Sequence, residues 1–176
     1  FVDGEIFITD DKTAEMCKLT ENRFRDLNIA FANELSIICD QNGINVDELI
    51  SFSNKHPRVN ILQPGPGVGG HCIAVDPWFI VDLDEENSKL IKLSRERNEY
   101  KTQWTIKKIS NEIKKFIKNH KRPPLISFLG ISFKPNIDDL RESPALEIAY
   151  HFHKSNNVVI CEPNITKHES LNLVSI

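Results

Sequence analysis

Leu125-Ile126-Ser127-Phe128-Leu129-Gly130 and Asn157-Val158-Val159-Ile160-Cys161 bracket the stretch that decides the fold. Each is a short apolar run of strand length, and the first reads as a buried strand. Between them Ser143-Pro144 opens a helix, with proline at its first turn, where the missing N–H costs nothing. Strand, loop, helix, strand is the βαβ pattern of a doubly wound, parallel nucleotide-binding unit. Lys121-Arg122-Pro123-Pro124, just upstream, reads as a linker.

Upstream of the linker the period changes to that of helices. From Thr13 to Asp40 there is neither proline nor glycine, and Leu19, Leu27, Ile29, Ala30, Phe31, Leu35 and Ile38 recur at helical spacing. Thr13 is the expected N-cap and Gly43 lies just past the end. A helix this long is expected to pack on several partners, including a second subunit. Val46–Asn54 reads as a short helix. Asn87 to Asn119 reads as a second long one, through Leu90, Leu93, Trp104, Ile109, Ile113 and Phe116.

Between the helices lies Gln63-Pro64-Gly65-Pro66-Gly67-Val68-Gly69-Gly70-His71-Cys72-Ile73-Ala74-Val75-Asp76-Pro77. Four of the chain's seven glycines fall here, followed by a cysteine and, four residues on, a carboxylate. Glycines admit positive φ or close approach to the backbone. A thiol exposed on such a turn, among backbone N–H groups, is in the setting that stabilises a nucleophilic thiolate. A structural cysteine beside a loop satisfies the same local pattern. Lys18, Asn22 and Arg25, at i, i+4 and i+7, share one helix face. They read either as a solvated face or as contacts for an anionic, hydrogen-bonding ligand. His56-Pro57-Arg58 leads into the glycine loop, with Arg58 a surface charge or a phosphate contact. His56, His71 and Cys72 match no common zinc spacing, so no metal is expected. Lys134 and Arg141 lie in the loop after the first strand, where open α/β sheets bind ligands; a charged surface loop is the alternative.

Composition bounds the partners. A net charge of −3 gives no case for nucleic acid, and no apolar run is long enough to span a membrane. Four scattered cysteines without a CxxC pair argue for reduced thiols and a cytoplasmic protein. The chain opens Phe1-Val2-Asp3 without a leader or an initiator methionine, which points to a piece of a longer protein.

Three segments together resemble the UDP-glucose/GDP-mannose dehydrogenase family. They are Ala14-Glu15-Met16-Cys17-Lys18-Leu19-Thr20-Glu21-Asn22, Pro64 to Cys72, and Phe133-Lys134-Pro135-Asn136-Ile137-Asp138-Asp139-Leu140-Arg141-Glu142-Ser143-Pro144. Val75, where UDP-glucose enzymes carry lysine, is similar to the acetamido-sugar branch. The resemblance implies an NAD-dependent enzyme that oxidises the C6 alcohol of a UDP-sugar twice. It implies Cys72 as the nucleophile, Lys18 as oxyanion stabiliser and proton-transfer group, and Asp76 as the carboxylate handling water. It implies substrate contacts at Asn22, Arg25, His56, Arg58, Gly69 and Lys134, with Arg58 reaching across a homodimer, and a cofactor contact at Arg141. It divides the chain into 1–12, the end of an NAD-binding domain; 13–122, a helical central domain that dimerises through its long helix; and 123–176, a partial Rossmann-like UDP-sugar-binding domain. The fold expectation is therefore α/β, mainly helical, with the N-terminal NAD-binding domain absent from these residues. The competing class is a non-catalytic dimerisation or nucleotide-sugar-binding module.

Overall fold

A computed structural model describes residues 3–154 and 157–174. Residues 1, 2, 155, 156, 175 and 176, which belong to the first and last expected domains, lie outside the described residues. The elements run α1 (Asp11–Asn42), α2 (Val46–Ser53), α3 (Pro77–Leu83), α4 (Lys89–His120), β1 (Leu125–Leu129), α5 (Pro144–His153) and β2 (Asn157–Cys161).

Asp10, not Thr13, caps α1. Its carboxylate accepts the Thr13 N–H at 3.0 Å and the Thr13 hydroxyl at 2.7 Å. A carboxylate fits the positive end of a helix dipole better than a hydroxyl, so the helix starts three residues earlier than expected. Gly43, at φ 68°, ends it in the left-handed region. The short helix α3 was not foreseen; Pro77 sits at its first turn. α4 ends at Lys121, also left-handed, before Pro123 and Pro124.

α1 and α4 each have 32 residues, about 48 Å of helix. The seam between them is polar. Asp26, Asn33 and Ser36 of α1 meet Arg95, Asn98 and Lys101 of α4, all buried. Arg95 donates to Asp26 at 2.7 Å, and Lys101 donates to the Ser36 hydroxyl. The apolar side of α1 is displaced outward, so that Phe31 and Ile38 are exposed.

The second half of α4 packs on the α/β unit. Ile106 joins Ile148 and Phe152 of α5, with Ile109, Ile113 and Ile126 around them. β1 and β2 run parallel, in register from Leu125 opposite Asn157 to Leu129 opposite Cys161. Behind them Ile131, Ala149, Ile160 and Leu171 form the core of the unit. β1 is not the buried strand expected: Leu125 and Leu129 are exposed, and only alternate residues point inward. One edge and one face of β1 are covered, which suffices for a half-buried strand. α4 therefore ties the helical unit to the α/β unit, and the glycine loop lies where the two meet.

Candidate active site

Asparagines hold the loop onto α1. Asn54, just after α2, brackets Ile61, accepting its N–H at 2.8 Å and donating to its carbonyl at 2.9 Å. Asn28 accepts the Leu62 N–H at 3.0 Å and donates to the Asn60 carbonyl at 2.9 Å. Asn33 accepts the Gly65 N–H at 2.8 Å. From α4, the Thr102 hydroxyl donates to the Pro66 carbonyl at 2.9 Å. The chain then folds back along α1, and Asn22 donates to the Asp76 carboxylate at 2.6 Å.

The glycines serve a close approach between two parts of the protein. A Cβ on Gly69 would fall 2.4 Å from the Glu142 carbonyl oxygen and 2.6 Å from Phe133 Cβ. The Gly70 N–H donates to the Arg141 carbonyl at 3.0 Å. The loop is thus pressed onto the segment between β1 and α5. Cys72 is half-buried, between the exposed thiol and the buried structural cysteine that the sequence left open. Cys72 starts a single helical turn: its carbonyl accepts the Asp76 N–H at 2.8 Å. Cys72 and Asp76 therefore lie on one side of that turn, and Asp76 leaves the N-terminus of α3 uncapped to meet Asn22.

The structure joins Cys72, Asp76 and Asn22 in this way, and ties Arg141 to the loop through its backbone. The Arg141 guanidinium is paired with Asp139, at 3.0 and 2.6 Å, and this bond holds the Asp139 carboxyl down to about 2. Lys18 lies one turn before Asn22, but its exposed ammonium pairs with Glu21 at 3.4 Å and is not bonded to Cys72. Arg25 is exposed on the same helix. His56 and Arg58 lie together on the turn after α2, where the His56 ring accepts the Arg58 N–H at 3.3 Å. Both are exposed, and neither is bonded to the Cys72 turn. Lys134 is exposed beside the Phe133 ring. It lines a crevice of 540 Å³ at the carboxyl ends of β1 and β2, together with Gly67, Gly130, Ser132 and Ala145.

The residues that hold the loop were missed in the sequence. Asparagine is a poor interior helix residue, because its amide competes for backbone groups. Asn28 and Asn33 sit inside α1 nonetheless, because their amides serve the loop. Glu162, at the end of β2, was also missed. Its buried carboxylate accepts the N–H groups of Ile131 and Ser132 at 2.8 and 3.0 Å. Burial pushes its pKa up, but these hydrogen bonds outweigh that and hold it below the ordinary value. In a dinucleotide-binding βαβ unit the pyrophosphate lies at this loop. Here the Glu162 carboxylate takes up the N–H groups of Ile131 and Ser132. Among the described residues no group of three or more His, Cys, Asp or Glu stands together as a metal site. Among them, too, no helix is long and apolar enough to cross a membrane.

Residues 12–100 match the central domain of the UDP-glucose/GDP-mannose dehydrogenase family, and residues 127–174 match its UDP binding domain. The chain is 58% identical over 167 residues to UDP-N-acetyl-D-mannosamine dehydrogenase of Campylobacter jejuni, covering 94% of this chain and 40% of that protein. It is 57% identical over 167 residues to NDP-N-acetyl-D-galactosaminuronic acid dehydrogenase of Ralstonia solanacearum, covering 94% of this chain and 38% of the relative. The solved structure of UDP-D-ManNAc dehydrogenase from Pyrococcus horikoshii superposes with a TM-score of 0.83 at 40% identity, covering 97% of this chain and 41% of that one. The chain thus spans about two fifths of the length of the relatives it matches.

Proposed function

The chain belongs to the UDP-glucose/GDP-mannose dehydrogenase family, and we propose that the full-length protein oxidises C6 of a UDP-N-acetylhexosamine to the uronate. UDP-N-acetyl-D-mannosamine is the first candidate substrate, and surface polysaccharide the destination of the product. The observation that carries this reading is the 2.6 Å bond from Asn22 to Asp76, one helical turn from the free thiol of Cys72. A non-catalytic module would have no use for a nucleophile, an amide and a carboxylate at one point.

NAD⁺ would supply the acceptor for the two hydrides. The chain's own residues do the rest. Once C6 is an aldehyde, the Cys72 sulfur adds to it, and the carbonyl oxygen takes a proton to give a thiohemiacetal. Lys18 swings from Glu21 to neutralise the developing oxyanion, and the Asn22 amide donates beside it. Loss of the second hydride and the hydroxyl proton leaves a thioester on Cys72. Water attacks that carbon, Asp76 holds the water and takes its proton, and the C–S bond breaks to return the thiol and release the carboxylate. Lys134, in the crevice beside the loop, suits the UDP phosphates, and Arg141 suits the cofactor edge. Arg25, His56 and Gly69 complete the substrate contacts. Arg58 reaches the site of a second subunit.

That subunit docks on α1. Phe24, Phe31 and Ile38, seven residues apart, are 66%, 52% and 47% exposed, a continuous apolar stripe along the helix. The protein is assigned to the cytoplasm, in keeping with its four unpaired cysteines. The test is Cys72→Ser in the full-length protein, followed by uronate formation from UDP-N-acetyl-D-mannosamine and NAD⁺. The reading expects net uronate formation to cease. Uronate at the unaltered rate would sink it.

A further inference from the structure

We propose that Asn33 is a positioning residue for Cys72, holding the glycine loop in place through a one-way chain of hydrogen bonds that starts at Asp26. This rests on the reading of Cys72 as the nucleophile, and extends it to side chains that touch no substrate.

The chain can be followed atom by atom. Asp26, 1% exposed, accepts from Arg95 Nη1 at 2.7 Å and from Asn98 Nδ2 at 2.8 Å. Asn98, also 1% exposed, accepts on its Oδ1 from Asn33 Nδ2 at 2.9 Å. Asn33 is wholly buried and accepts on its Oδ1 from the Gly65 N–H at 2.8 Å. A carboxylate paired with a guanidinium only accepts. Asn98 must therefore turn its NH₂ towards Asp26 and its oxygen towards Asn33. Asn33 must in turn give its NH₂ to Asn98, which leaves its oxygen facing the loop. Turning either amide over would set acceptor against acceptor in a buried seam and leave buried polar groups unsatisfied. The charge of Asp26 thus fixes what Asn33 offers to a loop two side chains away.

The loop has a single matching group to offer. Pro64 and Pro66 flank Gly65 and carry no N–H, so Gly65 provides the one backbone donor of that run. Asn28 and Asn54 hold only residues 60–62. Asn33, with Thr102 on the neighbouring Pro66 carbonyl, is the last anchor on the helical unit before the loop reaches the β1–α5 segment and turns into Cys72. Misplacing a reacting group by about 1 Å can cost on the order of 10²-fold in rate.

The test uses the full-length protein with Asn33→Leu and with Asn33→Ala, neither of which can accept the Gly65 N–H. Alkylation by iodoacetamide is followed cysteine by cysteine. Cys17 is exposed on the same helix and serves as the rate reference, and buried Cys39 reports opening of the α1–α4 seam. The expected result is Cys72 alkylation faster by about fivefold, with Cys17 unchanged and Cys39 still protected. Alongside it, kcat falls at least about tenfold, with KM within about threefold. Unchanged Cys72 alkylation and kcat would overturn the proposal. So would Cys39 becoming reactive together with Cys72, because Asn33 would then be holding the helices and not the loop. The unaltered protein gives a check that needs no variant. The Gly65 amide should exchange its hydrogen as slowly as the interior of α1, and exchange at the rate of an open loop overturns the proposal. Alkylation and exchange need no turnover, so an anchored loop in a protein without dehydrogenase activity would count against the proposed function alone.

Discussion

Gly69→Ala should separate the glycine loop from the β1–α5 segment, and the size of the effect follows from the contacts. The added Cβ would sit 2.4 Å from the Glu142 carbonyl oxygen, 2.6 Å from Phe133 Cβ and 3.0 Å from Pro144 Cδ. None of these atoms is the free end of a flexible side chain, so the contact must open by about 1 Å to reach ordinary van der Waals spacing. Overpacking of that kind costs about 1–3 kcal/mol. The opening also stretches the Gly70 N–H to Arg141 carbonyl bond, worth about another 1 kcal/mol. The loss of about 2–4 kcal/mol should lower the urea midpoint by about 1–2 M. Gly65→Ala is the control. Its Cβ meets only the Gly67 carbonyl, at an ordinary 3.6 Å, and its N–H remains with Asn33, so it should change stability by no more than about 0.5 kcal/mol. Urea unfolding of the two variants side by side is the assay. Equal stability of the two would refute the claim that close packing, and not loop flexibility, requires glycine at position 69.

Burial pushes the Lys101 ammonium from 10.5 down to about 8. The unfolded chain then binds more protons between pH 8 and 10.5, so stability should rise with pH across that window. Any stability advantage of Lys101→Met should shrink over the same window, and a pH-independent difference in unfolding free energy would contradict this. Phe31→Asp, in the middle of the exposed α1 stripe, should convert a dimer at micromolar concentration to a monomer by light scattering; an unchanged dimer places the interface elsewhere. Lys18→Ala should lower kcat by about 10²–10³ with KM changed far less, as expected for an oxyanion contact; constant kcat with a steeply raised KM would make Lys18 a binding residue.

The helices and the βαβ unit were legible because they depend on local rules. Gly43 stops α1, Ser143 and Pro144 start α5, and β2 runs over Asn157–Cys161 as its apolar run suggests. Cys72 and Asp76 stood out for the same reason, since their spacing is a local property. The support beneath them was not legible. Asn28, Asn33 and Asn98 look like ordinary polar helix residues until α1 and α4 are laid together, and the partner of each is at least 30 residues away in the chain. The role of the glycines was legible only in part. Their density marked a close approach, but whether to a ligand or to Phe133 and Glu142 depended on how the α/β unit docks. The exposure of Leu125 and Leu129 likewise depends on how many strands flank β1, which a five-residue apolar run does not record.

The most direct test of the central claim is to trap the covalent intermediate. The full-length protein would be mixed with UDP-N-acetyl-D-mannosamine and NAD⁺, quenched in acid during turnover, digested, and the peptides bearing Cys17, Cys39, Cys72 and Cys161 weighed. The account expects the mass of the nucleotide uronyl group on the Cys72 peptide alone, removable by hydroxylamine as a thioester is, and absent when NAD⁺ is omitted. Steady uronate formation with an unmodified Cys72 peptide, or with the adduct on Cys17, Cys39 or Cys161, would contradict it.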